Sequence, residues 1–176
     1  MNQTNFWNDA AKCGAVIGGI WAACSLLSDA TGAGVFGLIG FALYLWLLIR
    51  YARRRATVLS TPDEEYGYGK RLGFIVAMAL FVGVINAAYT ILASRILFTA
   101  KYTAVYEQTF AVLAKSGFYT DEMIAQMSRM VQSPVMITFS TVLGQLFLGL
   151  LFGLVLAAVA QPRQRFDDRP TNDTEE

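Results

Sequence analysis

Apolar residues run along this chain in four long blocks, and most of the charge is packed into the stretches between them. The first block covers residues 13–27. Ala10, Ala11 and Ser28 lengthen it, and Lys12 can reach its amine to a polar boundary, so the pattern predicts a helix over 10–28. The second runs without a charge to Arg50 and predicts a span over 32–50. The third lies between Arg71 and Arg95 and predicts a span over 71–95. The fourth, 135–160, is uncharged, with Gln145 its most polar member. Each of the last three approaches or exceeds the ~20 residues that cross a hydrocarbon core of ~30 Å. Pro62, Pro134, Pro162 and Pro170 all fall outside the blocks, as uninterrupted helices in lipid require. Membrane β-strands would alternate apolar and polar residues over about ten positions; these blocks are apolar on every face. The fold class is therefore all-α, a polytopic membrane protein with four transmembrane helices.

Residues 100–133 read differently. Tyr102, Val105, Tyr106, Thr109, Phe110 and Leu113 recur at helical spacing, and Lys115-Ser116-Gly117 breaks the pattern. Thr120 suits an N-cap, with Asp121 and Glu122 at the positive helix start. Met123, Ile124, Met127, Met130 and Val131 then form one apolar stripe, and Ser133-Pro134 ends the helix. The segment predicts an amphipathic helical hairpin, packed on itself or lying on a membrane surface. Thr61-Pro62-Asp63-Glu64 fits a capping box that opens a short helix. The acidic tail, 166–176, has few apolar residues and is expected to be disordered. Residues 1–176 read as a single membrane domain. The first block reads as a retained span, not a cleaved leader, because a second span follows almost at once.

Lysine and arginine set an orientation. Arg50, Arg53, Arg54, Arg55, Lys70 and Arg71 cluster between the second and third spans; Arg163, Arg165 and Arg169 follow the fourth, and Lys12 opens the first. The turn at 28–31 has no basic residue, and the segment from 95 to 134 has only Arg95, Lys101, Lys115 and Arg129. The positive-inside rule places both termini and the 50–71 loop in the cytoplasm, and the hairpin outside. Trp46, Tyr51, Tyr66 and Tyr68 suit an aromatic belt at the inner boundary. Asp29 and Arg95 both fall near the outer boundary, placed to pair.

Composition narrows the chemistry. The chain is 55% hydrophobic and 15% charged. A net charge of +1 gives no reason to expect a nucleic-acid partner. There is no histidine, which removes the commonest general base, the commonest zinc ligand and any Ser-His or Cys-His dyad. No catalytic, cofactor-binding or metal-binding residue is assigned, and an enzyme is not expected. Met123, Met127 and Met130 share a face that Cu(I) would accept, but packing is the simpler use of flexible thioethers. Cys13 and Cys24 sit on one predicted helix about 16 Å apart by helical rise, too far to bridge.

Within the spans, the informative residues are small or polar. Gly14 and Gly18 share a face that Trp21 and Ser25 continue. Gly34, Gly37 and Gly40 line part of the second span; without a preceding strand they are no dinucleotide fingerprint. Ala79, Gly83, Asn86 and Thr90 form a stripe on the third, and Thr138, Thr141, Gln145 and Gly149 one on the fourth, with Gly149 and Gly153 as a small-xxx-small pair. Small residues let helix backbones approach, and amides hydrogen-bond across helices. Asn86 and Gln145 are expected to face the bundle interior, as interhelical glue or as the lining of a solute path. Lys12-x-Gly14-x-Val16-Ile17 and Arg71-x-Gly73-x-Ile75-Val76 hint at a duplicated hairpin.

Asn5-Phe6-Trp7 through Gly18-Gly19, Tyr68-Gly69-Lys70-Arg71-Leu72-Gly73-Phe74, the Met-rich helix before Ser133-Pro134, and the run from Phe147 to Gly153 before a basic stop resemble the bacterial membrane proteins catalogued as domain of unknown function 4199, common in Bacteroidetes. The resemblance covers nearly the whole chain. It implies the four-span architecture and the cytoplasmic (inner) membrane of a Gram-negative bacterium, and supplies no activity. The residues favour a structural or assembly partner in a membrane complex, in contact with the lipid bilayer and with a membrane protein partner or further copies of itself. The alternative is a small oligomeric transporter or channel subunit. A wet cavity reaching Asn86 and Gln145 would favour transport; a large exposed apolar face would favour a partner.

Overall fold

The computed structural model describes residues 5–59 and 66–160. Helix α1 (Phe6–Thr31) outruns its predicted end at residue 28. Thr31 Oγ1 donates to Leu27 O at 2.7 Å, so 28–31 stays helical. The chain turns only at Gly32, whose φ of 69° is left-handed and whose N–H donates to Ser28 O at 2.9 Å. The turn thus falls on 32–34, not on 28–31, and α2 (Val35–Leu59) begins three residues later than the apolar block. It also continues nine residues past Arg50, because a helix need not stop where its apolar stretch does. Arg53, Arg54 and Arg55 remain on it.

Helix α3 (Tyr68–Leu92) runs into a π-helical turn (Ala93–Leu97), which closes where Phe98 N–H donates to Ala93 O at 2.8 Å. Then α4 (Thr99–Lys115) departs, and Gly117, φ 72°, supplies the next turn. Thr120 caps α5 (Asp121–Val131) by accepting from Met123 N–H at 3.3 Å. Ser133 caps α6 (Pro134–Val159) by accepting from Met136 N–H at 3.2 Å, with Pro134 where a missing N–H costs nothing. Four helices are long and apolar enough to cross a membrane: α1, α2, α3 with its π turn, and α6. No strand occurs among the described residues. The capping box at 61–64 and the acidic tail lie outside them.

Helix α3 is the hub. It packs on α6 and α1, while α2 leans chiefly on α1 and touches α3 and α6 lightly. The α3–α6 seam follows the two small-residue stripes. A Cβ at Gly149 would run into the Ala79 methyl, and one at Gly83 would sit 3.0 Å from Val142 Cα and 3.2 Å from Gln145 Cβ. At Gly153 it would meet Leu72 Cδ1 at 3.0 Å. On the α1–α3 seam, a Cβ at Gly14 would lie 2.7 Å from Phe81 Cβ and 2.8 Å from Met78 O, and one at Gly18 would lie 3.0 Å from Ile85 Cβ. A Cβ at Gly40 would lie 2.9 Å from Cys24 Cβ. Gly34, Gly37 and Gly73 face open space. The apparent repeat therefore breaks at its centre, since Gly14 is a packing contact and Gly73 is not. Both cysteines are free thiols.

Helices α4 and α5 form a hairpin at the end of the bundle that carries the α1–α2 turn. Arg95 Nη2 holds the end of α5 by donating to Gln132 O at 2.7 Å. No residue of either helix is buried. The apolar stripe predicted for α5 splits: Ile124 and Met127 turn inward, while Met123, Met130 and Val131 are exposed.

Candidate functional site

Two polar constellations stand out, one at each end of the bundle. At the basic end, arginines close the last turn of α6. Such a turn leaves carbonyls without helical partners and carries the negative end of the helix dipole. Arg71, 5% exposed, donates from Nε to Ala157 O and from Nη1 to Tyr66 O, each at 2.9 Å. Arg53 donates from Nη2 to Val159 O at 2.9 Å, and Tyr68 Oη donates to Leu154 O at 2.8 Å. Arg55 pairs with Asp9, and its guanidinium lies 4.6 Å from the Phe74 ring centroid and 5.3 Å from that of Phe6. Arg50 stacks on exposed Trp46 at 5.0 Å, while Arg54 and Lys70 are exposed. Arg53, Arg55 and Arg71 are therefore structural clamps as well as cations in a basic loop. Tyr66 belongs to the same clamp: it is buried, and Arg55 Nε donates to its hydroxyl at 3.3 Å.

At the hairpin end a cleft of about 320 Å³ opens between the helices. Trp21, Ser25, Ser28 and Asp29 of α1 form one wall; Asn86, Tyr89 and Thr90 of α3 form another. Gly37 of α2, Thr141 of α6 and Tyr102 of α4 complete it. The cleft exists because the α3–α6 seam changes character along its length. Small residues zip the helices together at Ala79–Gly149 and Gly83–Val142; one turn further on, Asn86 and Thr90 replace them.

Asp29 organises the rim. Its Oδ2 accepts from Tyr89 Oη at 2.8 Å and from Tyr102 Oη at 3.2 Å, and its Oδ1 pairs with Lys101 Nζ at 2.9 Å. Arg95 is engaged with Gln132, so the expected Asp29–Arg95 pair is replaced by Asp29–Lys101. The π turn and the break at Phe98 bring the start of α4, with Lys101 and Tyr102, across the end of α1. Burial, then the Asp29 carboxylate, push the Tyr102 hydroxyl up to about 12, so it stays a proton donor at neutral pH.

Deeper in, the polar groups have no such partners. Among the described residues, Ser25, Asn86 and Thr141 make no side-chain hydrogen bond, although Asn86 is only 5% exposed. Beneath them, Tyr44 Oη and Gln145 Oε1 are buried without a partner. Gln145 stands one turn from Thr141 on α6, and the Tyr44 ring lies edge-on to Trp21 with centroids 5.1 Å apart. Asn86 and Gln145 thus lie inside the bundle, but not as hydrogen-bonded glue. Below this level the interior is apolar, with Ile17, Leu48, Ile75, Met78 and Val82 in its core.

Trp21, Ser25, Asn86, Thr90 and Thr141 are legible in the sequence as parts of helix faces; the convergence of Tyr89 and Tyr102 on Asp29 is not. A signal was present: Asp29 is the only carboxylate between residues 10 and 62. Among the described residues no group of three or more His, Cys, Asp or Glu side chains is arranged to hold a metal ion.

Residues 12–161 match the family described as protein of unknown function (DUF4199), and the chain belongs to that family. No curated protein and no solved structure matches it.

Proposed function

We propose that this DUF4199 protein is a non-catalytic, multi-pass protein of the bacterial cytoplasmic membrane that admits a small solute to the cleft headed by Asp29, as a binding or transport subunit. One observation carries the reading: three unpartnered polar side chains, from α1, α3 and α6, converge on one cavity inside a membrane-spanning bundle. Polar groups that face a cleft without protein partners are free to bond water or a solute there, at an energy close to that of a direct hydrogen bond. The excess of lysine and arginine at the α2–α3 end supports a cytoplasmic location for that connection and both termini, with the hairpin and the cleft outside. A single cysteine at Gln108, in a Cys13→Ser, Cys24→Ser background, is expected to react with a membrane-impermeant maleimide added to intact cells. Reaction only after the membrane is broken would invert the topology.

The assembly role expected from the sequence is the second reading, and a specific feature favours it. On α6, Val135, Phe139, Leu143 and Phe147 are between 53% and 80% exposed and line or adjoin an apolar groove of about 570 Å³. Lipid covers such a face as well as a protein does. Gentle extraction into nanodiscs from native membranes, followed by mass spectrometry, separates the readings. The binding reading expects a bound small molecule that is lost in Asn86→Leu. A stoichiometric partner protein, with no small molecule, would sink it in favour of assembly.

A further inference from the structure

We infer that the cleft selects a small, uncharged, hydrogen-bonding solute, a polyol or simple sugar, over any ion; the inference rests on the binding reading above. Charge disfavours ions. Asp29 is the only ionisable acid or base among the lining residues apart from the tyrosines, and its charge is already matched. Lys101 Nζ sits 2.9 Å from one oxygen, and two tyrosine hydroxyls donate to the other. An anion entering the cleft meets a carboxylate. A cation gains full attraction only by displacing an ammonium already in place. An uncharged solute meets neither obstacle.

The free groups favour hydroxyls. Ser25 and Thr141 each offer one hydroxyl donor and two acceptor lone pairs, and Asn86 offers two donors and a carbonyl. Donors and acceptors are therefore mixed on opposing helices, which suits hydroxyls, since each hydroxyl both gives and takes a bond. A carboxylate or an ammonium ligand would call for one kind alone. The wall suits the same solute. The indole of Trp21 is fixed edge-on to Tyr44 at 5.1 Å and to Phe41 at 6.1 Å, and gives the cleft a flat apolar face. Such a face covers the C–H side of a polyol ring or chain while the hydroxyls turn to Ser25, Asn86 and Thr141. A volume of about 320 Å³ sets the size. It lies at the lower end of the ~300–1,000 Å³ typical of ligand sites.

The test uses the full chain in nanodiscs with Trp7→Phe and Trp46→Phe, which leave Trp21 as the one indole reporter. Glycerol and glucose are titrated beside choline and acetate, ions of comparable small size. The expected result is a saturable change in Trp21 emission with a polyol, insensitive to added salt, and none with either ion. Asn86→Leu weakens that response about tenfold, equivalent to ~1.4 kcal/mol. Thr141→Val, which keeps the shape of the side chain, weakens it in the same direction and guards against a folding defect in the first variant. A saturable response to choline or to acetate, with none to either polyol, would overturn the uncharged class and leave the binding reading standing. No saturable response to any of the four probes would remove both.

Discussion

Gly149→Val is expected to leave little folded protein, because it forces apart the central seam of the bundle. The ordinary preference runs the other way: a glycine inside a helix is worse than alanine by about 1 kcal/mol. At Gly149 that gain is overwhelmed. A Cβ there overlaps the Ala79 methyl, so even alanine requires α3 and α6 to separate. Overpacking in a water-soluble core costs about 1–3 kcal/mol. In lipid the effect weighs more, since helices associate through close packing and not through exclusion of water. Gly14→Ala is expected to act likewise on the α1–α3 seam, where its Cβ meets Phe81 Cβ and Met78 O inside 3 Å. Gly73→Ala and Gly144→Ala are the controls. Neither meets an atom within 4 Å, and each should be neutral or slightly stabilising. Thermal midpoints in micelles and the yield of monodisperse protein read the series. Gly149→Ala as stable as Gly144→Ala would mean that α3 and α6 do not meet along this face.

The contrast among glycines marks how far the sequence is legible. Block length predicts the four long helices, because a span must be apolar for as long as it lies in lipid. The stripes Ala79–Gly83–Asn86 and Thr141–Gln145–Gly149 foretell which faces of α3 and α6 meet, since only small residues permit that approach. What pattern does not reveal is which glycines are used. Gly14 and Gly73 follow a basic residue in the same local motif, yet one is a seam and the other is open. That difference lies in the placement of neighbouring helices, a long-range property. The rim of the cleft is hidden for a similar reason. Asp29 is far in sequence from Tyr89 and Lys101; Tyr89 reaches it across the α1–α3 seam, and Lys101 only after the π turn at Ala93–Leu97 carries α4 over the end of α1. Arg95 was the nearer partner by position in the chain, and the same turn sends it to Gln132 instead.

The basic loop offers the second large effect, and it separates two roles that the sequence merges. Arg71→Met is expected to destabilise the protein by about 3 kcal/mol, because it strips partners from Ala157 O and Tyr66 O while keeping most of the side-chain volume. Hydrogen bonds from a charged donor are each worth about 1.5–3 kcal/mol, and a carbonyl left dry costs about 1–3 kcal/mol. The figure is the lower part of that range, since water at the bundle end can reach some of what is freed. Arg71→Lys keeps the charge but replaces two separate donor nitrogens, Nε and Nη1, by one ammonium that matches the two carbonyls less well, and should recover only part of the loss. Arg54→Met removes the same charge from an exposed site and should leave stability nearly unchanged. If the arginines acted only on orientation, the three variants would unfold at one midpoint and differ, if at all, in the labelling of Gln108→Cys. Unequal midpoints, with labelling unchanged, would assign Arg71 to the closing of α6 and leave orientation to the summed charge of the loop.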